Sequence, residues 1–326
     1  MRKMYRKIRE VIRMDKFKKL VAAAPVNLVG WAREELKEYA DEVIFYPDPP
    51  KDGEDLAGRI KDADGVLVGF ATQMGEEILR QAPKLKYVGM ICSLYSEESA
   101  NVDIAFARTR GIIVKGVRNY GDKGVAEYAV YQLIRILHGY GFPLKDGKMR
   151  EITGLKVGMV GIGDSGGLIA DALHFFGAEV SYFARSVKPE REQQGIHYKP
   201  LPKLLCDSEV VFTCLNKNTI LLHEEEFQAF GNGKIMFNTS IGPAADMEAL
   251  ENWIRQPGNL FCCDMTEALG DMSGEVRSRE NVICMGASSG MTAQAYELLS
   301  RKSLDHIREY LGAEQAKREG CVKHIL

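Results

Sequence analysis

Short apolar runs alternate with amphipathic helical segments along most of the 326-residue chain. In the first third, this pattern predicts strands at residues 19–23, 43–46, 65–68, 87–91 and 112–114. It predicts helices between them at residues 32–40, 55–61, 76–81 and 104–110. Strands that alternate with helices of this length predict a parallel sheet covered on both faces.

The same alternation continues after a longer helix predicted at residues 124–138. Apolar runs predict further strands at residues 157–160, 180–183, 210–214, 234–238, 260–263 and 282–284. The polar stretch 268–281 is interpreted as a surface loop. A closing helix at residues 292–313 is expected to return to the first domain. The predicted fold is therefore α/β, with two Rossmann-like or flavodoxin-like doubly wound domains and a cleft between them.

The domain boundaries follow from this pattern. Residues 1–19 are predicted to be a basic N-terminal arm, residues 20–120 with 292–326 one domain, and residues 121–291 a second domain. The arm is rich in lysine and arginine but lacks the apolar core of a signal peptide. A solvated helix or arm is the simpler interpretation.

Three glycines carry the strongest chemical signal. Gly161, Gly163 and Gly166 follow an apolar strand and precede a helical pattern that is followed by a second strand. This context is typical of a dinucleotide site, in which the glycines allow a tight turn, close approach to a pyrophosphate and helix–strand packing. The pyrophosphate then lies at a helix N-terminus, where N–H groups favour anions.

The end of the second strand distinguishes between the two dinucleotides. NAD sites place an acidic residue here for the ribose hydroxyls, whereas this chain has Ala184 followed by Arg185 and Ser186. A guanidinium pairs with phosphate oxygens, so NADP(H) is preferred and NAD(H) is the alternative. The alternative interpretation is that Arg185 is a solvated loop arginine with no role in cofactor binding.

Composition narrows the function classes. A net charge of −2 gives no electrostatic case for nucleic acid, and no apolar run approaches membrane-spanning length. The seven cysteines form no C-x-x-C pair and no set with metal-ligand spacing, so no metal is predicted. Adjacent Cys262 and Cys263 should face opposite sides of a strand. A reducing, cytoplasmic location is expected.

Several motifs together resemble the D-isomer-specific 2-hydroxyacid dehydrogenase family. They cover nearly the whole chain after the arm and include Ala82-Pro83-Lys84-Leu85-Lys86-Tyr87-Val88, Asn101-Val102-Asp103, Arg110-Gly111-Ile112, Val125-Ala126-Glu127, Phe237-Asn238-Thr239-Ser240 and Cys263-Asp264. The resemblance implies the two-domain fold, with residues 20–120 and 292–326 as the substrate domain and residues 121–291 as the dinucleotide-binding domain. It also implies NAD(P) binding, a small-molecule substrate and a homodimer joined through the nucleotide domains.

The resemblance also shows a divergence, because the family's catalytic arginine, glutamate and histidine are not matched. Ile241 occupies the arginine position, Leu269 the glutamate position and Ala287 the histidine position. The loop around Cys92–Ser96 also differs, with about four extra residues before Asn101. An apolar pocket lined by Ile241, Leu269 and Ala287 is predicted to favour an uncharged ketone or enone.

The cofactor contacts are carried over from the family residue by residue. The diphosphate is expected to meet Gly163, Asp164, Ser165 and Gly166, mostly through backbone N–H groups, and the ribose to lie along Leu215, Asn216 and Thr219. The resemblance also implies that Thr239 and Ser240 approach the nicotinamide ribose and that Asp264 accepts a bond from the carboxamide.

Three functions remain open from the sequence. The first is an NADP(H)-dependent oxidoreductase with an atypical, uncharged substrate. Its proton donor is unknown; Tyr95, Lys217 and Glu267 are weak candidates, each more often a packing or solvated residue. The second is a non-catalytic NADP(H)-binding or sensing protein. The third is a conventional 2-hydroxyacid dehydrogenase whose catalytic residues have moved.

Overall fold

The computed structural model describes residues 15–322, apart from Phe142 and Asn218 and the side chains of Lys145 and residues 316–322. The chain divides into two compact units. Unit 1 is formed by Met1–Tyr120 with Ala293–Leu326, and unit 2 by Gly121–Thr292. These changes of unit lie at, or one residue from, the boundaries expected from the sequence. Most of the predicted basic arm, residues 1–14, lies outside the described residues.

Unit 1 contains one five-stranded parallel sheet and its covering helices. The strands are β1 (Phe17–Ala22), β2 (Ala40–Phe45), β3 (Gly65–Val68), β4 (Tyr87–Ser93) and β5 (Ile113–Val117). The helices are α1 (Gly30–Glu35), α2 (Gly53–Ile60), α3 (Glu76–Arg80), α4 (Ile104–Thr109) and the last helix of the chain, α12 (Ala293–Val322). A 3₁₀ turn at Leu36–Glu38 follows α1.

The order β2-β1-β3-β4-β5 gives unit 1 the flavodoxin-like topology. One face of the sheet packs against α1 and α12 through residues such as Ala32, Leu304 and Ile307. The other face packs against α2, α3 and α4 through residues such as Leu56 and Leu79. The expectation that the closing helix returns to the first domain is therefore confirmed.

Unit 2 contains a seven-stranded parallel sheet. Its strands are β6 (Lys156–Val160), β7 (Glu179–Phe183), β8 (His197–Tyr198), β9 (Val210–Thr213), β10 (Ile235–Asn238), β11 (Leu260–Cys263) and β12 (Val282–Cys284). Its helices are α5 (Asp122–Leu137), α6 (Asp164–Phe175), α7 (Pro189–Gln193), α8 (Leu201–Asp207), α9 (Glu224–Phe230), α10 (Met247–Ile254) and α11 (Gly274–Arg277). Short 3₁₀ segments lie at Lys145–Gly147 and Thr266–Leu269.

The strand order β12-β11-β10-β9-β6-β7-β8 is that of a Rossmann sheet extended by one strand. Helices α5 and α6 cover one face, where Leu133, Ile169 and Leu173 are buried. Helices α8 to α11 cover the other, where Leu204, Trp253 and Phe261 are buried. Cys262 belongs to the first core and Cys263 to the second, which confirms that the two thiols face opposite sides. The predicted α/β fold with two parallel-sheet domains is confirmed.

Two local predictions are wrong. The predicted arm ended at residue 19, but β1 begins at Phe17, whose ring is 2% exposed in the core of unit 1. The predicted surface loop 268–281 contains the end of a 3₁₀ segment and helix α11, with Leu269, Met272 and Val276 buried. Single apolar residues in a charged segment hide this packing from a pattern analysis, because no periodic run is long enough to detect.

Candidate dinucleotide site

The predicted cofactor residues come together at one edge of the sheet of unit 2. They follow the carboxyl ends of β6 at Val160, β7 at Phe183, β9 at Thr213, β10 at Asn238 and β11 at Cys263. Strands β6 and β9 are neighbours, and the chain continues from them in opposite directions across the sheet. This reversal is the place where open α/β sheets bind ligands.

The glycine turn has the local geometry that a dinucleotide requires. Gly161 has a φ of +94°, and a Cβ there would lie 2.4 Å from the carbonyl oxygen of Cys214. A Cβ on Gly166 would lie 2.4 Å from the carbonyl oxygen of Gly161. Beside Gly163, in contrast, there is open space within 4 Å. Two glycines therefore permit tight backbone packing, and the third leaves room for a phosphate group beside the start of α6.

The first turn of α6 carries an interaction that the sequence analysis did not predict. The hydroxyl of Ser165 donates a hydrogen bond to Oδ1 of Asp122, the first residue of α5. The side chain of Ser165 is thus used to join the two helices, whereas Asp164 is exposed. A diphosphate contact through Ser165 would then come from its backbone N–H, as the sequence analysis expected for most of this turn.

Arg185 lies exposed just beyond the end of β7. Ala184 is half-buried before it, and Ser186 is exposed after it. Within the described part of the chain, the Arg185 guanidinium makes no hydrogen bond and no ion pair. Its five N–H donors are therefore available to a ligand at the edge of the sheet.

A buried polar network fixes the loops that follow β9 and β10. Asn238 accepts hydrogen bonds from the hydroxyl of Thr213 at 3.0 Å and from the N–H of Ser240 at 2.9 Å. The hydroxyl of Ser240 in turn accepts from the N–H of Leu215 at 2.9 Å and donates to the carbonyl of Thr213 at 3.3 Å. Ser240 is 3% exposed, so its hydroxyl positions these loops from within the protein.

The neighbouring residues keep more exposure. Thr239 is half-buried, and its hydroxyl donates to the carbonyl of Thr213 at 3.1 Å. Leu215 and Thr219 are half-buried and Asn216 is exposed, with the N–H of Thr219 donating to the carbonyl of Asn216 at 3.2 Å. In this segment Asn216 is the exposed side chain, whereas Leu215 also packs against the core of unit 2.

Cys214 begins this segment but offers no reactive thiol. Its sulfur lies 3.3 Å from the hydroxyl of Thr239. Burial raises the pKa of the Cys214 thiol to about 12, so the thiol stays protonated and unreactive at neutral pH.

Asp264 is held firmly at the end of β11. Its Oδ2 accepts from the N–H of Ser289 at 2.9 Å and from the hydroxyl of Ser289 at 2.7 Å, while Oδ1 accepts from the N–H of Met265 at 2.9 Å. The N–H of Ala287 also donates to the carbonyl of Asp264 at 3.0 Å. Asp264 is 3% exposed and thereby joins the end of β11 to the segment after β12.

The three positions that the sequence analysis matched to the family's catalytic residues do not share one environment. Ile241 and Ala287 are exposed at this edge, beyond the ends of β10 and β12. Leu269, in contrast, is 2% exposed and packs in the core beneath α10 and α11. The expectation that Leu269 lines a substrate pocket with the other two is therefore wrong, because its side chain fills the interior of unit 2.

The weak candidates for proton donation lie on three different segments of the chain. Tyr95 lies in unit 1, half-buried, with the guanidinium of Arg118 5.6 Å from its ring centre. Lys217 is half-buried in the turn after β9, and Glu267 is exposed and accepts from the hydroxyl of Thr266 at 3.2 Å. No group of three or more metal-ligating side chains occurs among the described residues.

Comparison with known proteins decides the family. A sequence profile described as "D-isomer specific 2-hydroxyacid dehydrogenase, catalytic domain" matches residues 26–319. This chain belongs to that family. The predicted family and the oxidoreductase class are thus confirmed.

The curated relatives include enzymes with several named substrates. The glyoxylate reductase of Pyrococcus furiosus is 25% identical over 309 residues, covering 86% of this chain and 88% of the relative. The hydroxypyruvate reductase of Blautia hydrogenotrophica is 28% identical over 214 residues, covering 59% and 64%. The D-3-phosphoglycerate dehydrogenase of Mycobacterium bovis is 30% identical over 229 residues, covering 65% and 42%.

Solved structures agree with the fold. D-lactate dehydrogenase from Aquifex aeolicus, complexed with NAD and lactic acid, has a TM-score of 0.76 at 20% identity, covering 92% of this chain and 97% of that one. An acyclic imino acid reductase in complex with NADPH and D-Arg has a TM-score of 0.76 at 22% identity, covering 90% and 97%. None of the described helices is both long and apolar enough to cross a membrane.

Proposed function

We propose that this family member is an NADP(H)-dependent oxidoreductase whose substrate is an uncharged carbonyl or enone rather than a simple 2-oxo acid. The bound nicotinamide would supply or accept the hydride. The residues of unit 2 would place it, through the glycine turn, the loops after β9 and β10, and Asp264. The observation that carries the cofactor assignment is the unpaired guanidinium of Arg185 at the end of β7.

Local chemistry supports the choice of NADP(H). Solved proteins of this fold contain NAD in one case and NADPH in another, so the fold itself does not decide. Ala184 offers no carboxylate to a ribose 2′-hydroxyl, and Arg185 with Ser186 offers donors to a 2′-phosphate. A carboxylate at this position would instead repel the phosphate.

The substrate assignment is supported by the absence of an arginine and a histidine at positions 241 and 287, beyond the ends of β10 and β12. Family enzymes hold a substrate carboxylate with an arginine, and Ile241 stands at the matching position. Ala287, at the matching position of the histidine, has no ionisable group and so cannot donate or accept a proton. The bidentate anchor for a carboxylate and the general acid–base group are therefore both missing. Loss of the acid–base group alone would lower the rate of 2-oxo acid reduction by a factor on the order of 10² to 10⁴.

We predict that Arg185→Gln selectively weakens binding of NADPH. Loss of charge-assisted hydrogen bonds to the 2′-phosphate should raise the Kd of NADPH roughly 10- to 100-fold and change that of NADH less than about twofold. Fluorescence titration with both nucleotides measures this. Lys148→Gln is a matched control, because Lys148 is an exposed cation beside Leu137 and Val210, at the amino end of the sheet. A preference of the unmodified protein for NADH contradicts the assignment.

Two alternative functions have their own support. The three apolar residues at the catalytic positions favour a non-catalytic NADP(H) sensor, and the names of the relatives favour a conventional 2-oxo acid reductase. We expect NADPH oxidation with neutral ketones or enones and little with glyoxylate, pyruvate or hydroxypyruvate. An assay of NADPH oxidation with each compound of this panel separates the three functions. Binding without any turnover supports the sensor, and robust glyoxylate reduction contradicts the proposed substrate class.

The remaining features of the proposal rest on the sequence alone. A homodimer joined through the nucleotide units and a cytoplasmic location stay predictions, as does proton donation by Tyr95, Lys217 or Glu267. Single replacement of each of these three residues in an active preparation identifies the donor by loss of turnover without loss of NADPH binding.

A further inference from the structure

One buried hydroxyl beside the candidate site lacks a hydrogen-bond partner. Tyr128 lies in the second turn of α5 and is 6% exposed. Its phenolic oxygen has no hydrogen bond to any described residue. An unsatisfied buried donor destabilises a folded protein, so such a group calls for an explanation.

The backbone contacts of α5 put Tyr128 on the helix face that is turned toward the segment holding Asp264. A Cβ on Gly124 would lie 2.3 Å from the carbonyl oxygen of Ser289, and one on Gly121 would lie 2.7 Å from that of Gly290. The first turn of α5 is therefore pressed against the segment that holds the Asp264 carboxylate. Tyr128 is four residues after Gly124 and so lies on the same face of the helix.

The electrostatic surroundings of Tyr128 agree with this position. Burial raises the pKa of the phenol, and the ends of β11 and β12 raise it further through Cys262, Cys263, Asp264 and Cys284. The group is therefore a neutral hydrogen-bond donor at any physiological pH. Because it stays protonated, Tyr128 is suited to holding a ligand oxygen rather than to exchanging protons.

Asp264 and Tyr128 have complementary unused capacity. The carboxylate accepts three hydrogen bonds, from Met265 and twice from Ser289, of about four that it can take. It thus offers one further acceptor position, while Tyr128 offers one donor. One acceptor beside one donor is the complement of a primary carboxamide, whose NH₂ donates and whose carbonyl oxygen accepts.

We propose that Tyr128 is a positioning residue for the nicotinamide, which donates to the carboxamide oxygen while Asp264 accepts from the carboxamide NH₂. Fixing both ends of the amide holds the ring in one orientation about its bond to the amide group. This inference rests on the dinucleotide function proposed above.

The test compares a whole dinucleotide with the same molecule lacking nicotinamide. Tyr128→Phe should raise the Kd of NADPH about fivefold, as expected for one lost hydrogen bond. It should leave the Kd of 2′-phospho-ADP-ribose within about twofold, because that fragment has no carboxamide. The fluorescence emission maximum of NADPH bound to this variant should also shift toward that of free NADPH. Tyr131→Phe on the same helix is the matched control, since Tyr131 is 61% exposed.

A structural role predicts a different result. If Tyr128 only packs, Tyr128→Phe leaves both affinities unchanged or weakens both alike, and either outcome overturns the proposal. The melting temperature of the ligand-free variant should be equal or higher, because the unsatisfied hydroxyl is gone. If the unmodified protein prefers NADH, the assignment of Arg185 fails separately, and the same comparison is made with NADH and ADP-ribose. If it binds no dinucleotide, both proposals fail.

Discussion

Gly161, Gly163 and Gly166 have three different surroundings, although the sequence pattern treats them alike. Positive φ and a neighbouring carbonyl require glycine at position 161, and the backbone of Gly161 itself requires it at position 166. Gly163 has a φ of −77° and open space beside it, so nothing within the protein requires a glycine there. A ligand that approaches its backbone closely provides the reason.

This difference predicts that folding and binding separate between two variants. Gly163→Ala should cost less than about 1 kcal/mol of stability, because no side chain or carbonyl lies within reach of the new methyl group. It should nevertheless weaken NADPH binding more than tenfold, since the methyl group would occupy the space of the diphosphate. Gly161→Ala should lose both, with a stability cost above about 2 kcal/mol from backbone strain and contact with Cys214.

Thermal unfolding and nucleotide titration of both variants measure the two effects. Unchanged NADPH affinity in a folded Gly163→Ala protein would contradict the placement of the diphosphate beside this turn.

Residues joined only by tertiary contacts were beyond the sequence analysis. Asp122 and Ser165 are 43 positions apart, and Asp264 and Ser289 are 25 apart. Neither Tyr128 nor Ser289 belongs to a motif with a chemical signature of its own. The positions of the loop residues were predictable because carboxyl ends of parallel strands share one edge, but their hydrogen-bond partners were not.

At the scale of elements, the length of the apolar run decided which predictions succeeded. Strands β3, β11 and β12 have the predicted bounds, because each is marked by a short apolar run between polar residues, although β12 is a half-buried edge strand. The two-residue strand β8 was missed, since it consists of His197 and Tyr198 and pairs only with β7. A strand of two residues has no apolar run and so leaves little trace in the pattern.

Helix α11 shows how a tertiary contact creates an element that the pattern hides. Glu251, on α10, accepts hydrogen bonds from the N–H of Ser273 at 2.5 Å and from its hydroxyl at 2.9 Å. This contact fixes the residue before α11 and allows Met272 and Val276 to enter the core. A charged, four-residue helix of this kind depends on its neighbour rather than on its own periodicity.

At the scale of the whole molecule, unit 1 is built from two parts of the chain separated by all of unit 2. Its integrity depends on α12 returning to α1 and the sheet. Apolar residues such as Leu304 and Ile307 supply most of the contact. A polar cluster adds to it: Arg308 donates to the carboxylate of Glu35 and to the hydroxyl of Tyr39 at 2.7 Å, and that hydroxyl donates to Glu35 at 2.7 Å.

This cluster predicts a pH-dependent contribution to the stability of unit 1. Hydrogen bonds from Tyr39 and Arg308 lower the pKa of Glu35, so its contribution is fully present above the pKa of an unfolded glutamate and is lost as pH falls through the folded value. Glu35→Gln should therefore cost about 0.5 to 1 kcal/mol at pH 7, after solvent screening of a partly exposed pair. The difference from the unmodified protein should shrink below about pH 5.

Amide hydrogen exchange in α1 and α12 measures this effect locally, where unfolding of unit 2 does not contribute. Glu34→Gln is the matched control, because Glu34 is on the same helix and pairs with Lys37 while 71% exposed. Faster exchange in both helices at pH 7 for Glu35→Gln alone is the expected result. Equal exchange at pH 7, or a difference that grows toward low pH, would mean that the returning helix is held by its apolar face without this cluster.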